Sequence, residues 1–179
     1  MDGVLCNLSK ALLAAHNRLD LSDKPVMYDL CAVLNLEIHD VWAPVVDMGW
    51  EFWEGLEPFP WVFELIDWVR GLGDMFIISS PLSLPKFKGR DLAYCVRGKQ
   101  QWLRNILGMS YDSVIFTKHK WVVSKPGAIL IDDLPDYEED FVACGGVQLI
   151  FPDYHNCFSR FLYDPVACVK QQYAEKVGK

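Results

Sequence analysis

Four short apolar runs, separated by amphipathic stretches and bounded by glycine, proline or polar residues, predict an α/β protein. The runs are Met75–Ile78, Ser113–Phe116, Ala128–Ile131 and Val147–Phe151. Runs of this kind suit strands buried on both faces of a parallel sheet. The expected architecture is a three-layer α/β/α sandwich of Rossmann-like type, with a small helical cap inserted. A further observation agrees with it. Polar clusters directly follow the runs, and in parallel sheets ligands collect beyond the carboxyl ends of the strands.

The elements are taken in chain order. Leu12, Leu13, Ala15 and Leu19 recur at helical spacing and predict a helix over Ser9–Leu19, with Asn7 as its cap. From Asp20 to Glu57 the pattern is mixed. Pro25, Pro44 and Gly49 interrupt it, and Trp42, Trp50, Phe52 and Trp53 crowd its second half. That stretch reads as the cap, 20–57, and leaves 1–19 and 58–179 as the core. Val62, Leu65, Ile66 and Val69 predict an amphipathic helix that Gly71 and Gly73 end. Helices are also expected over Gly98–Leu107, ended by Gly108, over Tyr137–Cys144, and over about Pro165–Lys176.

Composition narrows the function. The chain has 179 residues, 51% hydrophobic and 23% charged, with a net charge of −7. This is globular composition for one domain. The acidic balance argues against binding a nucleic-acid polymer. No apolar run approaches the ~20 residues of a membrane helix, so no membrane partner is expected. The six cysteines are scattered without a Cys-x-x-Cys pair. They read as buried hydrophobes or surface thiols in a reducing, cytoplasmic compartment rather than as zinc ligands. His119, between Lys118 and Lys120, reads as solvent-exposed.

Four segments carry chemistry: Asp2-Gly3-Val4-Leu5, Ser79-Ser80-Pro81, Thr117-Lys118-His119-Lys120 and Asp132-Asp133. Taken singly, each is an ordinary turn or loop start. In order, and at strand ends, they assemble what phosphoryl transfer needs. Carboxylates hold a hard cation such as Mg²⁺. A hydroxyl and a lysine hold the phosphate oxygens. One further carboxyl group protonates the leaving oxygen and then deprotonates water.

On these segments the chain resembles the haloacid-dehalogenase superfamily of phosphatases, and within it is similar to the 5'(3')-deoxyribonucleotidases. Leu56-Glu57-Pro58-Phe59-Pro60, Lys99-Gln100-Gln101-Trp102-Leu103 and Leu130 to Asp136 add to the likeness, which runs from Met1 to about Asn156. The resemblance implies a Mg²⁺-dependent phosphomonoesterase acting on a nucleoside monophosphate through an aspartyl-phosphate. It makes Asp2 the general acid/base, with its carbonyl on Mg²⁺. Ser79, with Ser80 beside it, binds phosphate. Lys120 neutralises charge, and Asp132 and Asp133 hold the metal, Asp133 more directly. Trp50, Phe52 and Trp53 fall where the family stacks rings around a base, Leu8 where relatives carry an aromatic, and Lys118 where relatives place an arginine. Lysine cannot reproduce a planar bidentate contact. The partner is thus a small nucleotide, with a homodimer left open as the assembly.

One element of the likeness is absent. The family motif is Asp-x-Asp-Gly, and Met1 occupies the x position, so the nucleophile would precede the recorded start. The expectation is that Met1 is internal to the natural chain and that these 179 residues alone have little or no hydrolase activity. Two alternatives remain: a phosphatase of another small phosphate ester, and a non-catalytic nucleotide-binding or regulatory protein.

Overall fold

The structure is a computed structural model, and it describes residues 1–22, 30–135, 138–153, 156 and 163–178. It is a mixed α/β chain. The first helix, α1, spans Leu8–Ala15; the Asn7 side chain accepts from the Lys10 N–H at 3.0 Å, as expected of its cap. The helix ends a turn sooner than its apolar spacing predicts. Asn17 takes a left-handed conformation (φ 55°), and Leu19–Leu21 continues as a separate 3-10 turn. Asparagine tolerates that conformation better than most residues do.

The segment expected as a cap is helical where it is described: α2 at Leu30–Leu34, α3 at Ile38–Met48 and α4 at Trp50–Glu54. Pro25 lies outside the described residues. Described apolar residues of the segment join the main core. Val45, Phe52, Trp53 and Leu56 belong to the same buried cluster as Leu65, Trp102 and Leu149. Helix α5 spans Val62–Arg70 and buries Val62, Leu65 and Ile66, the stripe its spacing predicts.

Strand β1 is Ile77–Ser79, β2 is Val114–Phe116, β3 is Ile129–Asp132 and β4 is Val147–Ile150. All four apolar runs therefore contain strand, and all pairing between them is parallel. They form two sheets of two strands. β1 pairs β2 with Ile77 opposite Val114, and β3 pairs β4 with Ile129 opposite Val147. The sequence pattern fixes strand identity and direction; it does not say which edges hydrogen-bond.

Between β1 and β2 runs α6, Arg90–Leu107, which begins two turns earlier than expected and ends at Gly108 (φ 62°). Its buried stripe is Asp91, Cys95, Gly98, Lys99, Trp102 and Leu103. Helix α7, Glu138–Ala143, and helix α8, Pro165–Lys176, both pack on β4. The Asp164 side chain caps α8 through the Ala167 N–H at 2.9 Å. Among the described residues, no helix is long and apolar enough to cross a membrane.

Residues 1–7 lie against 57–61. The Phe59 N–H donates to the Leu5 carbonyl at 3.0 Å, the Asn7 N–H to the Glu57 carbonyl at 3.0 Å, and the Trp61 indole N–H to the Val4 carbonyl at 3.0 Å. Met1, Val4, Leu5 and Cys6 are buried. These bonds fix the position of Asp2.

Candidate functional site

Asp2 sits among the strand ends. Its Oδ2 accepts from the Lys99 ammonium at 2.5 Å. The same ammonium donates to Ser79 Oγ at 3.1 Å and to the Ser80 carbonyl at 3.2 Å. This ties Asp2 to the carboxyl end of β1. From the other side, Lys120 acts electrostatically on Asp2 and is itself ion-paired to Asp132, the last residue of β3. Gly3 faces two carboxylates. A Cβ built there would lie 2.5 Å from Asp133 Oδ2 and 2.9 Å from Asp153 Oδ2. Asp2, Ser79, Lys120, Asp132 and Asp133 thus meet around one point, although 131 residues separate the first from the last.

The charges there are mutually dependent. Burial pushes the Asp2 carboxyl up, but Lys99, the N-terminal ammonium and, more weakly, Lys120 outweigh it and hold the group below the usual carboxylate range. Burial likewise pulls Lys99 down, and the Asp2 carboxylate more than restores it, so the ammonium loses its proton above the usual lysine range. Lys99 is fully buried and Lys120 nearly so, while the Asp2 side chain remains 26% exposed. Asp2 and Asp133 are therefore the members of the cluster that solvent reaches.

The donor set fits Mg²⁺. The backbone at Gly3 is bare and in the left-handed region (φ 70°), leaving a cradle that a side chain would fill. Asp133 and Asp153 border it, beside the Asp2 peptide. Mg²⁺ takes one or two carboxylates with carbonyl or water oxygens. Among the described residues, no group of three or more His, Cys, Asp or Glu side chains could cage a metal, so any ion here would lean on backbone oxygen and water. Both carboxylate oxygens of Asp132 have partners. Its Oδ2 meets Lys120, and its Oδ1 accepts from the Leu134 N–H at 3.2 Å.

The other expected site residues are placed differently. Ser80 lies beside the cluster, with its hydroxyl on the Thr117 carbonyl at 3.4 Å. Lys118 and His119 are exposed on the loop after β2. Leu8 packs against the core. Phe52 and Trp53 are buried, Trp53 stacked on Trp42 at 5.9 Å with the Lys99 ammonium 4.9 Å from its ring centroid. Trp50 is partly exposed, but the Arg97 guanidinium lies 4.2 Å over its ring. These rings pack the α4–α6 junction.

Three site residues escaped the sequence reading. Lys99 is one; its signal was a lysine on the same helical stripe as Cys95, Trp102 and Leu103. Asp153 is another, buried just beyond β4. The third is Asn156, whose side chain donates to the Asp133 carbonyl at 2.7 Å and accepts from the Asp153 N–H at 2.9 Å, joining the two acidic loops.

The thiols here are inert. Burial raises Cys95 to about 11 despite Lys99 nearby, and burial with Asp2 raises Cys6 well above the ordinary thiol range. With a disulfide reagent at pH 8, peptide mapping is expected to show exposed Cys144 modified first. Cys6 and Cys95 should react only on unfolding. The sequence matches no protein-family model and no curated protein, so the geometry of this cluster carries the functional argument.

Proposed function

We propose that the chain carries the phosphoryl-transfer centre of a Mg²⁺-dependent phosphomonoesterase whose substrate is a nucleoside monophosphate. The observation that carries this reading is the meeting of Asp2, Lys99, Ser79, Lys120 and Asp133 around one point, with Asp2 partly open to solvent. Ser79 Oγ accepts from Lys99, so its own proton is available to a phosphate oxygen. The Lys99 and Lys120 ammonium groups are each paired to a carboxylate, so a bound Mg²⁺ would supply the positive charge that a phosphate dianion needs beside these aspartates. The resemblance routes the reaction through an aspartyl-phosphate. A carboxylate that this cluster does not itself contain would attack phosphorus, the P–O ester bond would break, and the leaving oxygen would take a proton through Asp2, whose carboxyl Lys99 otherwise holds ionised. Asp2 then removes a proton from the water that releases orthophosphate. Asp133, Asp153 and the Asp2 carbonyl would hold Mg²⁺, which when bound shields phosphate charge as a Lewis acid. The resemblance makes residues 20–57 the cap over this rim.

A second reading has an observation in its favour. Phe52 and Trp53 are committed to the core and Trp50 carries Arg97 on its face, so a small phosphate ester without a base would lose no stacking partner here.

The test is a panel of monophosphates at fixed Mg²⁺, measured both as binding and as orthophosphate release, with and without EDTA. The expected result is tighter binding of nucleoside monophosphates than of sugar phosphates, with any turnover abolished by EDTA. Sugar phosphates winning would favour the second reading. Binding without turnover in a chain extended ahead of Met1 by an apolar strand ending in aspartate would favour a non-catalytic nucleotide-binding protein. Absence of affinity for every phosphate would overturn all three.

A further inference from the structure

We infer that Lys99 is a positioning residue for the phosphate site: it fixes the direction of the Ser79 hydroxyl and holds that hydroxyl and the Asp2 carboxylate in one geometry with cap helix α4. The inference rests on the phosphate-handling reading above and gives Lys99 a role which that reading did not assign.

The argument is one of hydrogen-bond polarity. An ammonium group has three donors and no acceptor. Those of Lys99 go to Asp2 Oδ2 at 2.5 Å, Ser79 Oγ at 3.1 Å and the Ser80 carbonyl at 3.2 Å. Ser79 Oγ is therefore an acceptor toward Lys99, and its O–H must donate elsewhere. A hydroxyl with a fixed donor direction selects a ligand rich in acceptors, such as a phosphate oxygen. With its three donors used inside the protein, Lys99 acts through Ser79 and Asp2 rather than by touching a ligand.

The link to α4 is steric. Gly98, one residue before Lys99, has no room for a side chain, because a Cβ would lie 2.5 Å from the Trp53 Cβ and 3.2 Å from the Glu54 nitrogen. The Lys99 ammonium lies 4.9 Å from the Trp53 ring centroid. A shift of α4 therefore moves the lysine that orients Ser79.

The probe is orthophosphate, titrated in the presence of Mg²⁺ into the wild type, Ser79→Ala, Lys99→Met and the double variant. Each single change is expected to weaken binding about tenfold or more, the worth of a hydrogen bond to a charged group. The double variant should lose much less than the product of the two single losses, because Lys99 works in part through the Ser79 hydroxyl. Losses that multiply overturn the inference. Lys99→Met removes a buried charge and its fold could fail, so a second measurement uses chains that keep Lys99. The ¹⁵Nζ resonance of Lys99 should shift on adding orthophosphate to the wild type and stay fixed in Ser79→Ala. Orthophosphate binding to the wild type without that shift overturns the inference alone. A wild type with no affinity for orthophosphate overturns it together with the functional reading.

Discussion

Lys99→Met is expected to lower the unfolding free energy by about 3 kcal/mol, the low end for removing one partner of a buried ion pair. Two features set the size. Lys99 is fully buried, so its removal leaves the Asp2 carboxylate with the N-terminal ammonium and, more weakly, Lys120 as the described cations acting on it. Asp2 is 26% exposed, so water recovers part of the loss. Asp2→Asn in the same chain should return a portion of the stability, since the orphaned charge disappears with it. The pH dependence has a fixed sign. Asp2 is held below its unfolded pKa, so its contribution is present above about 3.9 and fades as pH falls through the folded value. Lys99 is held above its unfolded pKa, so its contribution is full below about 10.4 and fades as pH rises through the folded value. Urea unfolding at pH 7 and pH 3 checks this. The gap between wild type and Lys99→Met should narrow at pH 3, and an equal gap at both would remove the ion pair from the account.

That prediction rests on a residue the sequence hid, and the reason is physical. Apolar spacing reads a stripe, and Lys99 lies on one with Cys95, Trp102 and Leu103; a lysine at such a place reads as tolerated because its stem can reach solvent. Its partner Asp2 lies 97 residues away, beyond any local pattern. The helices and strands were legible because their signals are local. α5 follows Val62, Leu65 and Ile66, and α8 runs from Pro165 to Lys176 as expected. The meeting of Asp2, Ser79, Lys120 and Asp133 was legible for a different reason: each follows a strand or opens the chain's first tight turn, and parallel topology carries such positions to one rim. The division into two strand pairs was not legible, because backbone pairing between strands leaves no mark on side-chain pattern. The cap aromatics illustrate a further limit. Trp50, Phe52 and Trp53 have the composition of a stacking site and of a helix interface alike, and only the geometry of α4 on α6 shows Trp53 against Trp42 and Trp50 under Arg97.

That interface yields the second large effect. Gly98→Val is expected to cost about 3 kcal/mol or more. The atoms a Cβ would meet are the Trp50 carbonyl oxygen, the Trp53 Cβ and the Glu54 nitrogen, all backbone or the root of a side chain, and none can rotate away. Overpacking usually costs about 1–3 kcal/mol where neighbours can shift; here a whole helix must move. Helix propensity acts the other way, since glycine is about 1 kcal/mol worse than alanine inside a helix. Gly98→Ala should therefore be the milder change, with part of its clash offset, and branched valine the worse one. Arg104→Ala, on the exposed side of the same helix, should stay within about 0.5 kcal/mol of wild type and serves as the control. Denaturant midpoints of the three variants rank them directly. Should Gly98→Val prove as stable as Arg104→Ala, α4 and α6 would not be in close contact, and Lys99 would lose its steric link to the cap. If the ranking holds and Gly98→Ala also weakens orthophosphate binding while remaining folded, the α4–α6 contact would be coupled to Ser79 and Asp2 through the lysine that follows the glycine.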